Sequence, residues 1–118
     1  SVCYSFWFVD IHREGQASFI RYITHGRTPT IRLSNMISKD LSNMMMAGRC
    51  VSSDRAANSA LRVKASCMAM GQAPGTAAAL AVREGIAVRD ISVGNLLKTL
   101  DESGAIIPGK MREFRDML

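Results

Sequence analysis

The chain has few aromatic residues. One Trp, two Tyr and four Phe make up 6% of 118 residues, and four of these seven (Tyr4, Phe6, Trp7, Phe8) fall within the first eight positions. Histidine occurs twice, at His12 and His25, and cysteine three times, at Cys3, Cys50 and Cys67. An odd cysteine count without a CxxC pair argues against a disulfide framework and against a structural zinc site. Reduced thiols suit an intracellular setting, so the expected localisation is cytoplasmic. No apolar run approaches the roughly 18 residues that span a bilayer, and the opening SVCYSFWFVD has no basic leader. The sequence also lacks HExxH, GxSxG, the P-loop and GxGxxG, so no complete catalytic or dinucleotide-binding signature is present. The chain begins with Ser1 in the middle of a strand-like pattern, as if cut from something longer.

Hydrophobic residues make up 47% and charged residues 21% of the chain. That is globular composition, and the length suits one modest core. The net charge of +5 permits attraction to anions. The basic residues are scattered, however, without runs or interleaved aromatics, which reads as a solvated surface. Nucleic acid and membrane are therefore not expected as partners. Eight methionines, with Met44, Met45 and Met46 consecutive, point to an adaptable core.

Val2 to Ile11 is aromatic and β-branched and predicts a strand, closed by a turn at His12–Gly15. Ala17 to Thr24 predicts a second strand, broken by His25–Pro29, and Thr30 to Leu33 a short third. LSNMMMAGRC reads as a buried strand running into a tight loop at Gly48. VSSDRAANSAL is small and polar and reads mainly as a loop, with Ser52 or Ser53 as a cap for a short turn. A helix is predicted from Cys67 to Glu84. Its Pro74 is harmless only in a first turn, so the helix starts near Gln72 or Ala73, or kinks there, and Gly85 stops it. Asp90 or Ser92 caps a last helix through Val93, Leu96, Leu97 and Leu100, ended by Gly104.

The expected class is therefore α/β, or an α+β fragment, with a few strands and two main helices. It forms a single region: residues 1–47 mainly strands, 48–66 a ligand-side loop, 67–104 two helices, and 105–118 a tail.

Two local patterns suggest a site. Gly71, Gly75 and Ala79 are spaced by four and share one helix face. Small residues there suit packing on a sheet, or a helix N-terminus facing an anionic or electron-rich ligand. Gly48-Arg49 follows an apolar run, where ligands bind beyond strand ends in open α/β sheets. Arg49 is either an ordinary surface arginine or a fork for a pyrophosphate. Cys50 and Cys67 read as inert thiols, and His12 as structural.

The run DLSNMMMAGRCVSSDRAANSALRVKASCMAMGQAPGTAAALAVREG resembles the C-terminal portion of FAD-dependent oxidoreductases of the glutathione-reductase-like superfamily. The closest group looks like the bacterial "FAD-dependent oxidoreductase" or "xanthan lyase-like" family. SFWFVDIH, IRLSNMISKDLSN and LLKTLDESGAIIPG extend the resemblance over residues 4 to 109. It implies the C-terminal part of a Rossmann-like FAD domain, with FAD as the cofactor of the complete protein. It implies that Gly48 and Arg49 lie near the FAD pyrophosphate and ribityl chain. It further places Met70, Gly71, Gln72, Gly75 and Thr76 at a helix N-terminus by the flavin ring, and makes Arg62 a substrate or cofactor contact.

Arg55 and Ala56 stand where many relatives carry a His-Glu pair, so no histidine acid/base transfers there, and catalytic residues stay unassigned. Pro74 replaces a common alanine. The resemblance implies that the remainder of a flavoprotein, including its Gly-rich fingerprint, is the partner; a homo-oligomer is a second expectation. Three functions stay open at this point: part of a flavin oxidoreductase, a stand-alone interaction module, and a basic nucleic-acid binder supported only by charge.

Overall fold

The computed structural model describes residues 1–5, 7–22 and 28–109. Phe6, the expected linker around His25 and most of the expected tail lie outside the described residues. Three helices and two small antiparallel sheets give a mixed α/β architecture, the class expected from the sequence.

The opening aromatic segment is not one strand. It divides into β1 (Cys3–Tyr4), paired antiparallel with β4 (Thr30–Ile31), and β2 (Val9–Arg13), paired antiparallel with β3 (Gln16–Arg21). Cys3 stands opposite Ile31, and Val9 opposite Arg21. The division has a local cause: buried Ser5 continues the first ladder through its N–H to the Pro29 carbonyl and turns its hydroxyl inward to the Ala60 carbonyl. The second ladder is a hairpin turned at Gly15, whose φ of 66° suits glycine. The Met44–Met46 run is also not a buried strand. It makes a single bridge, Ile37 to Met45, and Met44 is exposed. Gly48, at φ 81°, turns the chain into a short 3-10 helix before a longer ladder forms.

The region read as a ligand-side loop contains a helix, α1 (Arg55–Leu61). Its cap is Asp54, not Ser52 or Ser53: the Asp54 carboxylate accepts the Ala57 N–H at 2.7 Å. The long helix α2 (Lys64–Glu84) begins before Cys67 and runs through Pro74 without interruption. Pro74 has no N–H for the Met70 carbonyl, yet Pro74 is buried with its neighbours Ala73 and Ala77, and packing outweighs the local cost. Gly85 ends α2 in the left-handed conformation, φ 66°, as expected. Of the two expected caps for α3 (Val93–Glu102), Ser92 serves.

Ser66, Met70, Ala73, Ala77, Leu80 and Ala81 form the buried stripe of α2, at the three- and four-residue spacing of one helix face. Against it lie Leu96 and Leu100 of α3, Val2, Cys3 of β1, and Met36. Met36 and Met70 are wholly buried, so two of the eight methionines fill the centre of the core.

Candidate functional site

A cleft of about 1260 Å³ opens where β1, the start of β2, the first half of α2 and the segment after α3 meet. The α1–α2 junction builds its charged side. Arg62 caps the C-terminus of α1. Its guanidinium donates to the Ser59 carbonyl at 3.4 Å and to the Asp10 carbonyl at 3.3 Å, and lies 3.7 Å from the Asp10 carboxylate. Arg49 reaches the same junction by donating Nε–H to the Arg62 carbonyl at 3.1 Å. Lys64, at the first position of α2, has no ion-pair partner among the described residues. These three cations and the single carboxylate of Asp10 line the cleft. Asp10 is half-occupied already, by Arg62 and by His12 Nε2 at 3.2 Å.

Backbone donors add to this field. The N-cap of α2 is Val63, whose side chain cannot accept a hydrogen bond, and Cys67 is the first residue whose N–H reaches back into the helix, to the Val63 carbonyl. The N–H groups of Lys64, Ala65 and Ser66 thus have no intrahelical acceptor. All three residues line the cleft. The positive end of a 21-residue helix therefore faces the same space as Arg49, Arg62 and Lys64, an arrangement that favours an anion.

Arg49, Arg62 and Gln72 are the expected site residues that the fold brings to this cleft; Gly48, Met70, Gly71, Gly75 and Thr76 are not among its lining residues. The expected helix start at Gln72 is corrected by the position of Lys64. Gly71, Gln72, Gly75 and Thr76 stand in mid-helix, where backbone N–H groups are engaged in the helical ladder. Thr76 turns its hydroxyl back to the Gln72 carbonyl at 2.9 Å. Met70 is fully buried in the core. A Cβ placed on Gly71 or Gly75 would meet nothing within 4 Å, so no sheet packs on the small-residue face among the described residues. Gly48 instead approaches Cys67, where an added Cβ would lie 4.0 Å from that side chain.

Asp10, Lys64 and Trp7 were not singled out by sequence reasoning, yet they line the cleft. The signals were present: the only tryptophan in the chain, and an Arg-Val-Lys run directly before a helix that has no polar cap.

No group of three or more His, Cys, Asp or Glu among the described residues is arranged to hold a metal, and no helix there is long and apolar enough to cross a membrane. A family model described as "FAD dependent oxidoreductase" matches residues 1–100. That is most of the chain, and the chain belongs to this family. No curated protein and no solved structure matches it.

Proposed function

We propose that this member of the FAD-dependent oxidoreductase family supplies one wall of the flavin site, as the C-terminal part of a Rossmann-like flavoprotein. The observation that carries the reading is the convergence of Arg49, Arg62, Lys64 and the uncapped start of α2 on one cleft. The residues fit the cofactor's chemistry: a diphosphate needs several positive donors in a small space, and a ring system needs the apolar surface that the rest of this cleft provides. Bound FAD would supply hydride or electron transfer.

The chain's own residues bind and orient. Arg62 is held rigid by two carbonyls and the Asp10 carboxylate, so its fork is pre-set. Lys64 has no ion-pair partner among the described residues and gives a mobile point charge. Gln72, exposed on the next turns of α2, offers an amide to polar atoms of the ligand. The AGR turn contributes Arg49, anchored through Nε.

The cleft is open, and one chain grips only part of a dinucleotide. The isolated chain is therefore expected to bind FAD weakly, and a titration followed by flavin fluorescence checks this; submicromolar affinity would overturn the incomplete-site reading. Lys64→Glu tests the cationic wall, because Lys64 carries no ion pair among the described residues. It should raise the Kd for FAD about tenfold, the loss of one charge-assisted contact. An unchanged Kd would remove the α2 start from the site.

The exposed hairpin favours a second reading, a stand-alone interaction module without redox activity. Phe19, Ile20 and Tyr22 are 44%, 46% and 75% exposed, and such apolar surface suits a polypeptide partner. A preparation that is colourless with the whole flavoprotein assembled would favour it.

A further inference from the structure

Three large apolar side chains from three separate parts of the chain converge on the cleft while staying open to solvent. Trp7 precedes β2 and is 40% exposed, Met68 lies on α2 and is 76% exposed, and Ile106 follows α3 and is 54% exposed. Exposed apolar residues scattered singly need no explanation. Three of them meeting on one concave surface, beside a cationic wall, make a surface prepared for an apolar group that is attached to an anionic one.

The side chains also define the shape of that group. The Trp7 ring is stacked on Phe8, with centroids 4.6 Å apart and planes at 24°, and Phe8 in turn touches Tyr22 at 5.5 Å. The indole is thus braced from behind by a second ring, which lowers the entropy lost when a ligand settles on it. An indole face prefers a flat π-system in offset stacking, and a methionine sulfur makes favourable contact with aromatic rings.

We propose that Trp7, Met68 and Ile106 form the wall against which the flat isoalloxazine ring of the flavin binds. Trp7 is the stacking residue, and Met68 and Ile106 are its apolar borders. The inference rests on the flavin reading above but is separable from it, because the cationic wall and the aromatic wall answer to different probes.

The probes are FMN, which carries the ring, and ADP, which carries the diphosphate. Stacking against an indole quenches flavin emission at contact distance. FMN bound to the unaltered chain should therefore be dim, and FMN bound to Trp7→Phe should be several-fold brighter at nearly the same Kd. Trp7→Ala should weaken FMN about three- to tenfold, the range of an aromatic pair, with the Kd for ADP unchanged. Met68→Ala should weaken FMN by a smaller factor, again sparing ADP. Circular dichroism shows whether Trp7→Ala folds, and if it does not, the emission of the Trp7→Phe complex decides.

Equal FMN emission in the unaltered chain and in Trp7→Phe overturns the proposal. Equal weakening of FMN and ADP by Trp7→Ala in a folded chain also overturns it. Binding of ADP without any binding of FMN removes the ring wall and leaves the cationic reading standing. Binding of neither probe removes both.

Discussion

Every residue of β3 is exposed, whereas α3 buries Leu96 and Leu100 almost completely against α2. The β2–β3 hairpin and the α2–α3 pair belong to one short chain, yet they satisfy their backbones under different terms. A helix closes its hydrogen bonds within its own segment, so α2 and α3 need a partner only for one apolar stripe, and each gives it to the other. A two-stranded ladder is marginal in water without a covered face. The hairpin's apolar residues Phe19 and Ile20 find no such cover within the described residues. Its ties to the body run instead through β2 and α1: the Asp10 N–H donates to Ser59 Oγ at 3.1 Å, and Arg55 and Arg62 donate to the carbonyls of His12 and Asp10. One region is held by packing and the other by a few polar contacts to a single short helix.

The contrast is broken most forcefully in the core. Leu96→Ala should cost about 2–5 kcal/mol, the range for a buried leucine, and should leave the chain largely unfolded. Phe19→Ala, on the hairpin, removes one cross-strand pair with Ile11 and should cost less than about 1 kcal/mol. Urea unfolding of the two variants measures the difference. Similar losses would show that the hairpin folds as part of the core.

Alkaline pH should act through Cys3, at the junction of β1 with α2. Burial pushes its thiol pKa up from 9.0 to about 11, because the thiolate is disfavoured away from water. Between those values the unfolded chain has released this proton and the folded chain has kept it, so rising pH favours unfolding. Stability should be unaffected by Cys3 below pH 9.0 and then fall by at most about 1.4 kcal/mol per pH unit until about 11. Cys3→Ala should flatten that slope. Thiol labelling should modify exposed Cys50 well before buried Cys3.

The two faces of α2 give a finer test. Ala81 is 4% exposed and packs in the core, so Ala81→Leu overfills it at a cost of about 1–3 kcal/mol. Gly75 faces open space, and Gly75→Leu should be neutral or stabilising by up to about 1 kcal/mol, the helix-propensity gain over glycine. Thermal melts of the isolated chain rank them. The reverse ranking would mean that something covers the small-residue face, as the sequence reading expects.

What was legible in the sequence follows the same division. The end of α2 is written locally in Gly85, as expected, and of the two caps the sequence offers for α3, Asp90 and Ser92, the second serves. The start of α2 was missed because Val63 gives no capping signal and Pro74 suggested a boundary that the buried stripe overrides. Strand character at Cys3–Tyr4 and Thr30–Ile31 is legible locally, but their pairing with each other across the β2–β3 hairpin is information that no local pattern holds. The same holds for the site. Arg49 and Arg62 were expected from the motif that surrounds them, and both line the cleft. Gly71, Gly75 and Thr76 were expected at a helix N-terminus that lies several residues earlier, and Lys64 and Trp7 line the cleft where they do not.

A local effect tests how the two regions are joined. Asp54 caps α1 through the Ala57 N–H, and α1 is the element on which β2 rests. Asp54→Ala leaves that N–H without its acceptor and should cost about 1 kcal/mol, as for other N-caps. The loss should not be shared evenly. Loosening α1 displaces Ser59, Arg55 and Arg62, which hold the hairpin, while the α2–α3 stripe makes its contacts elsewhere. Amide exchange should therefore accelerate across Val9–Arg13 and Gln16–Arg21 by a larger factor than across Leu80 or Leu96, whose protection follows global stability. Equal acceleration in both regions would mean that the hairpin opens only when the whole chain unfolds, and that α1 is not the joint between them.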